Sequence, residues 1–126
     1  MALAVTVQRE AADLLIVVGQ GRATLADLKG FADLIGTVCA EESRQRVMVN
    51  LLDVDQDLSF TDHLQLGVYI AEKLGFLRKM ATVVPAQYRS GNSERAAQKS
   101  GLKLRTFLSI TEARDWLDEE PEPAND

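Results

Sequence analysis

The sequence predicts an α/β domain with a central mixed sheet, an opening hairpin followed by parallel crossovers, and helices covering the strands. Three observations carry this. Short Val- and Leu-rich runs alternate with segments of helical spacing in the order β-β-α-β-α-β-α-β-α. The strand "RVMVNLLDVD" is apolar almost throughout, as a central strand buried on both faces should be. The chain has 126 residues, 46% of them hydrophobic, enough for one core without disulfides or metal.

"LAVTVQ" and "DLLIVVGQG", joined by the polar "REAA", form the predicted hairpin. In "ATLADLKGFADLIGTVCAEES", Leu25, Leu28, Phe31, Ile35 and Val38 recur at helical spacing, with Thr24 as N-cap and Asp27 in the first turn. Cys39, the lone cysteine, reads there as a small apolar residue on a helix face. After the central strand, "FTDHLQLGVYIAEKLGF" puts Phe60, Leu64, Val68, Ala71 and Leu74 or Gly75 on one stripe, and Asp57, Ser59 or Thr61 can cap it. "RKMATVVP" is a buried-type strand, and "NSERAAQKSG" is a short helix capped by Asn92 or Ser93 and stopped at Gly101. In "LKLRTF", Leu102, Leu104 and Thr106 share one face and Lys103 and Arg105 the other, the pattern of a charged edge strand. "SITEARDWL" has the Ser109 to Glu112 spacing of a capping box, with Ile110, Ala113, Trp116 and Leu117 on one side. Trp116 is therefore expected to anchor the last helix to the sheet. One domain over residues 1–118 is predicted, and the acidic, Pro-containing tail 119–126 is expected to be disordered.

The element order, the strand "VNLLDVD" leading into a helix, and the close "FLSITEARDWL" resemble the STAS/SpoIIAA-like family. The likeness spans about residues 3–118 and rests on structural motifs. Members of the anti-sigma-factor antagonist type carry a phosphorylatable Ser in an Asp-Ser-Ser-Gly-like turn after the central strand. This chain has "DLSFTDHLQLG" there, so it looks closer to the divergent branch without that motif, and Ser59 and Thr61 are the nearby candidate phosphoacceptors. The resemblance implies a regulatory or apolar-ligand-binding role without enzyme activity; no cofactor or metal is expected.

Net charge is −5, which argues against a nucleic-acid binder. Residues 78–105 hold 7 Lys/Arg against 1 Asp/Glu, between acidic flanks of 6 against 11 and 1 against 7. The longest strongly apolar run, "LLIVVG", is far short of the roughly 20 residues of a membrane helix. The N-terminus lacks a basic leader region, so a cytoplasmic location is expected.

Asp53 and Asp55, at the carboxyl end of the central strand, stand where open α/β sheets place ligands, and a phosphate-handling enzyme is the third reading they allow. An EF-hand loop fails because Leu58 and Leu64 occupy the positions that need Gly and Glu. His63 is the sole histidine and cannot hold zinc alone. "YRSGNSERAAQK" offers a candidate anion site from Arg89, Ser90, Gly91, Asn92 and Arg95 ahead of a helix. Finally, the helix around "LQLGVYIAEKLGFL" carries more apolar side chains than one sheet can bury, marking Leu66, Tyr69, Ile70 and Phe76 as a partner or apolar-ligand surface. The reading is thus a non-catalytic regulatory or protein-interaction module, expected to form a homodimer. A carrier or sensor of an apolar small molecule is the alternative.

Overall fold

The computed structural model describes residues 3–10, 13–88 and 92–119. Five strands and four α-helices follow in the predicted order: β1 (Ala4–Arg9), β2 (Leu14–Ala23), α1 (Leu25–Glu42), β3 (Arg46–Gln56), α2 (Phe60–Leu74), β4 (Lys79–Val83), α3 (Asn92–Lys99), β5 (Leu104–Phe107) and α4 (Ile110–Asp118), with a 3-10 turn at Ala86–Tyr88. The sheet order is β1-β2-β3-β4-β5. β1 runs antiparallel to β2, and every later pairing is parallel. The hairpin, the parallel crossovers and the central place of "RVMVNLLDVD" agree with the sequence reading.

Helix ends follow local chemistry. Thr24 caps α1 and Ser59 caps α2, each in a full capping box with Asp27 and Asp62. At α4 the Ser109 hydroxyl accepts from the Glu112 amide. Gly101 adopts φ +101° just past α3, where a side chain would be strained, and the Leu102 amide closes the turn on the Ala97 carbonyl at 3.1 Å.

Strand alternation divides the core in two. Leu15, Val17, Val47, Val49, Met80 and Leu104 face α1, α2 and α3, while Leu14, Met48, Ala81 and Val83 face α4 with Trp116 and Leu117. Trp116 is 6% exposed and meets Phe107 with ring centroids 5.7 Å apart, the anchor its sequence context predicts. Beneath it lies the buried Lys79, whose Nζ donates to the Trp116 carbonyl at 2.6 Å and the Glu119 carbonyl at 3.0 Å. Arg46 donates to the Leu117 carbonyl at 2.7 Å, so two cations satisfy the carboxyl end of α4. Ile110, expected on the packed side, is instead 45% exposed at the first position of α4, where the helix has only begun to cover the sheet. Cys39 is fully buried as expected, and that burial pushes its thiol up to about 11.

One irregularity decides what reaches the covered face. The β2–β3 register moves from Val18 opposite Asn50 to Gln20 opposite Asp53, so β3 gains a residue, and the Asn50 side chain accepts the Leu52 amide at 3.0 Å. Leu51 and Val54 both join the core under α1 as a result. Gly19 faces this bulge. A Cβ there would lie 3.1 Å from Val54 and 3.2 Å from Phe31, closer than the packing readily allows. The helix α2 also turns differently from the sequence reading. Its buried residues are Leu66, Gly67, Ile70, Ala71 and Leu74, whereas Phe60, Leu64 and Val68, read as part of the packed stripe, are 63%, 38% and 43% exposed. The small Gly67 and Ala71 lie on the buried side of α2, whose closest helical neighbour is α3.

Candidate functional site

The sheet and its three-helix cover do not close completely. Between them lies a cavity of about 80 Å³, several times the roughly 10–15 Å³ needed to admit one water. Its apolar wall comes from Leu28, Phe31 and Ile35 of α1, Leu66 and Ile70 of α2, and Val49, Leu51, Met80 and Leu104 of the sheet. Its polar groups are Gln56, His63, Thr82, Tyr88, Glu94 and Thr106. Gln56 ends β3, and His63, Tyr88 and Glu94 follow the carboxyl ends of β3 and β4, where open α/β sheets place ligands.

Thr82, Thr106, Glu94 and Tyr88 are held in place by hydrogen bonds. The Thr82 and Thr106 hydroxyls are hydrogen-bonded at 3.1 Å across β4 and β5, and the Thr106 amide donates to Glu94 at 3.1 Å. Gln98 donates to the Leu104 carbonyl at 2.8 Å, tying α3 to β5 beside them. Tyr88 donates its hydroxyl to Asp55 at 2.6 Å. Burial lowers the His63 pKa from its usual value, with the Asp62 charge acting in the other direction. The bulge in β3 places Gln56 in this ring: Val54 and Gln56 alternate onto the covered side, and Asp53 and Asp55 fall on the other and are exposed. Asp55 pairs with Arg22 at 3.7 Å. No group of three or more His, Cys, Asp or Glu among the described residues could hold a metal ion.

The predicted surface residues do not lie together. Leu66 and Ile70 are buried in the cavity wall. Tyr69 is half-buried against the edge of the core, donates to Asp33 of α1 at 2.7 Å and has the Lys29 and Lys73 ammonium groups over its ring. Phe76 is exposed beyond the end of α2. Ser59 is exposed with its hydroxyl accepting from the Asp62 amide at 3.1 Å, and Thr61 is exposed in the first turn. Of the candidate anion site, Arg89, Ser90 and Gly91 and the side chain of Asn92 lie outside the described residues; Arg95 is exposed on α3. The tail from residue 120 also lies outside them. Sequence reasoning did not single out Gln56, Thr82, Tyr88 or Glu94 as site residues, since no local motif marks residues that only tertiary packing assembles.

The sequence matches no protein-family profile and no curated relative. Solved structures do match. One is an anti-sigma factor antagonist from Mycobacterium paratuberculosis, with a TM-score of 0.66, 15% identity, and coverage of 94% of this chain and 96% of that one. Another is an uncharacterised DUF3478-family protein with a SpoIIAA-like fold from Shewanella loihica PV-4, with a TM-score of 0.57, 19% identity, and 92% and 93% coverage. The anti-sigma factor antagonist SpoIIAA in its unphosphorylated form matches at a TM-score of 0.57 and 11% identity, over 93% of this chain and 100% of that one. The chain therefore has the SpoIIAA-like, or STAS-type, fold. Among the described residues, no helix is long and apolar enough to cross a membrane.

Proposed function

We propose that this chain is a non-catalytic regulatory module that acts in the cytoplasm by binding protein, a second copy of itself or another chain. The row Phe60, Leu64 and Val68 carries this reading. Three apolar side chains spaced one turn apart stand exposed on α2, and side chains four apart on a helix form a continuous strip. The shared fold with anti-sigma factor antagonists supports it, since those proteins are named for acting on another protein. The row begins next to Ser59, and Ser59 and Thr61 are the proposed phosphoacceptors. A phosphate there would bring a charge of about −2 to the edge of the strip and, at Ser59, against Asp62. A photo-crosslinker placed in turn at Phe60, Leu64 and the exposed Glu41 of α1 tests the reading in living cells. Adducts of discrete mass from the first two positions but not the third are expected, and a mass of two chains would identify self-association. Adducts absent from all three, or equal at all three, would remove the strip as an interface.

A second reading is favoured by the cavity. An apolar wall with a few convergent polar groups is the usual make-up of a small-molecule site, so the chain is also proposed as a carrier or sensor of an apolar small molecule held beneath α2. Native mass spectrometry of freshly purified protein should then show an added mass that is lost on denaturation.

A further inference from the structure

We propose that the cavity beneath α2 takes a small apolar molecule whose polar end donates a hydrogen bond, an alcohol, phenol or amine, and discriminates against carboxylates. This rests on the second reading above, that the cavity is a binding site.

The chemistry of the lining carries it. Glu94 is the only carboxylate among the described lining residues, and these include no Lys or Arg. One Glu94 oxygen takes the Thr106 amide, and a carboxylate has about four acceptor positions, so Glu94 keeps capacity for a further donor. Burial lowers the His63 pKa and so disfavours its charged form, with Asp62 acting the other way. The Thr82 and Thr106 hydroxyls add acceptor lone pairs to the same lining. A carboxylate ligand would leave water to meet a wall whose ionised group has its own sign. An alcohol or ammonium would instead complete acceptors already in place, while its hydrocarbon part lay against Leu66, Ile70 and Phe31.

Amide-resolved NMR titrations of the full chain with 1-hexanol, hexylamine and hexanoate near neutral pH separate the possibilities, because the three probes share a hydrocarbon chain. Hexanol and hexylamine should saturate, with shifts centred on the Gln56, Thr82 and Thr106 amides. Hexanoate should bind at least about tenfold more weakly. Glu94→Gln retains an acceptor for the Thr106 amide and removes the charge, and it should close most of that gap. Leu66→Trp should fill the cavity and abolish binding of all three. Equal affinity for hexanoate and hexanol would overturn the head-group selectivity while leaving the cavity a binding site. A preference unchanged in Glu94→Gln would overturn its assignment to that carboxylate. If none of the probes shifts any amide, the cavity is no binding site and both readings fall together.

Discussion

Beneath α4, Met48, Ala81, Val83, Trp116 and Leu117 form a continuous apolar contact, whereas beneath α1 and α2 the same strands leave a cavity floored by Thr82 and Thr106. Alternate residues of β4 and β5 make the difference: Ala81 and Val83 on one face, Thr82 on the other; Phe107 on one, Thr106 on the other. Thr and Val have nearly the same shape and both suit strands. A threonine on a covered face therefore adds a hydroxyl without a gain in packing, and that hydroxyl must find a partner. On the binding proposed for the cavity, the α4 face serves stability and the α2 face binding, a division that variants on each face can break.

The largest effect belongs to the α4 face. Trp116→Ala should cost about 3–5 kcal/mol, the range for removing a buried aromatic, in a urea unfolding curve. Leu66→Ala, in the wall of an existing void, loses fewer contacts and should cost about 2 kcal/mol, near the lower end for a buried Leu. Equal costs would mean that the two faces are packed alike. Next in size is Lys79→Met, which keeps the aliphatic stem but strips the Trp116 and Glu119 carbonyls of their donor. The loss should be about 1–3 kcal/mol, followed by the fluorescence of the sole tryptophan. A neutral Lys79→Met would show that Trp116 holds α4 without its cap.

The same contrast explains what the sequence reveals. Thr24, Ser59 and Ser109 announce helix starts because a cap is a local interaction within four residues, and Trp116 announces itself by size on an amphipathic helix. The packed side of α2 is hidden because two of its buried residues, Gly67 and Ala71, carry almost no apolar signal, while exposed Phe60, Leu64 and Val68 carry a strong one. Periodicity weighs side chains by hydrophobicity, but helix packing here depends on their smallness. The bulge at Leu51 and Leu52 is equally silent. In an unbroken strand Asp53 and Asp55 would share a face with Val49 and Leu51, and the inserted residue sends them outward and Gln56 inward. The cavity draws on α1, β3, α2, β4, the 3-10 turn, α3 and β5, so only the topology brings it together.

Both covers are also tied at the end of the sheet opposite the polar part of the cavity. Arg46 holds Asp13 at 2.7 Å and Asp118 at 3.2 Å on the α4 side. At the end of α1, Glu42 accepts from Arg9 at 2.7 Å and Arg44 at 2.8 Å. Hydrogen bonds from Arg9 and then Arg44 hold the Glu42 carboxyl down at about 2 from 4.5, and Arg46 likewise lowers Asp13. A carboxylate with a depressed folded-state pKa stabilises the fold fully above its unfolded value and loses that contribution as pH falls towards the folded value. Stability should therefore decline between pH 4.5 and about 2, and Glu42→Gln should flatten that decline in urea midpoints taken across the window. Because this pair is partly exposed, the change should be smaller than that of Lys79→Met. A variant that follows the wild-type curve would show that the tie at α1 adds nothing.

The smallest expected stability change is the most telling about the two faces. Thr82→Val alone removes one half of a hydrogen-bonded pair and leaves Thr106 to find another partner, which should cost about 1 kcal/mol. Replacing both by Val removes donor and acceptor together at nearly constant shape, and such paired replacements are close to neutral. The double variant should thus unfold within about 0.5 kcal/mol of the wild type, while its affinity for 1-hexanol falls because the floor can no longer hydrogen-bond the head group. A double variant as costly as Trp116→Ala would mean that the pair exists to hold β5 on β4. Unchanged stability with reduced hexanol affinity would mean that the hydroxyls serve the ligand, and that β4 and β5 were left polar here for what the cavity binds.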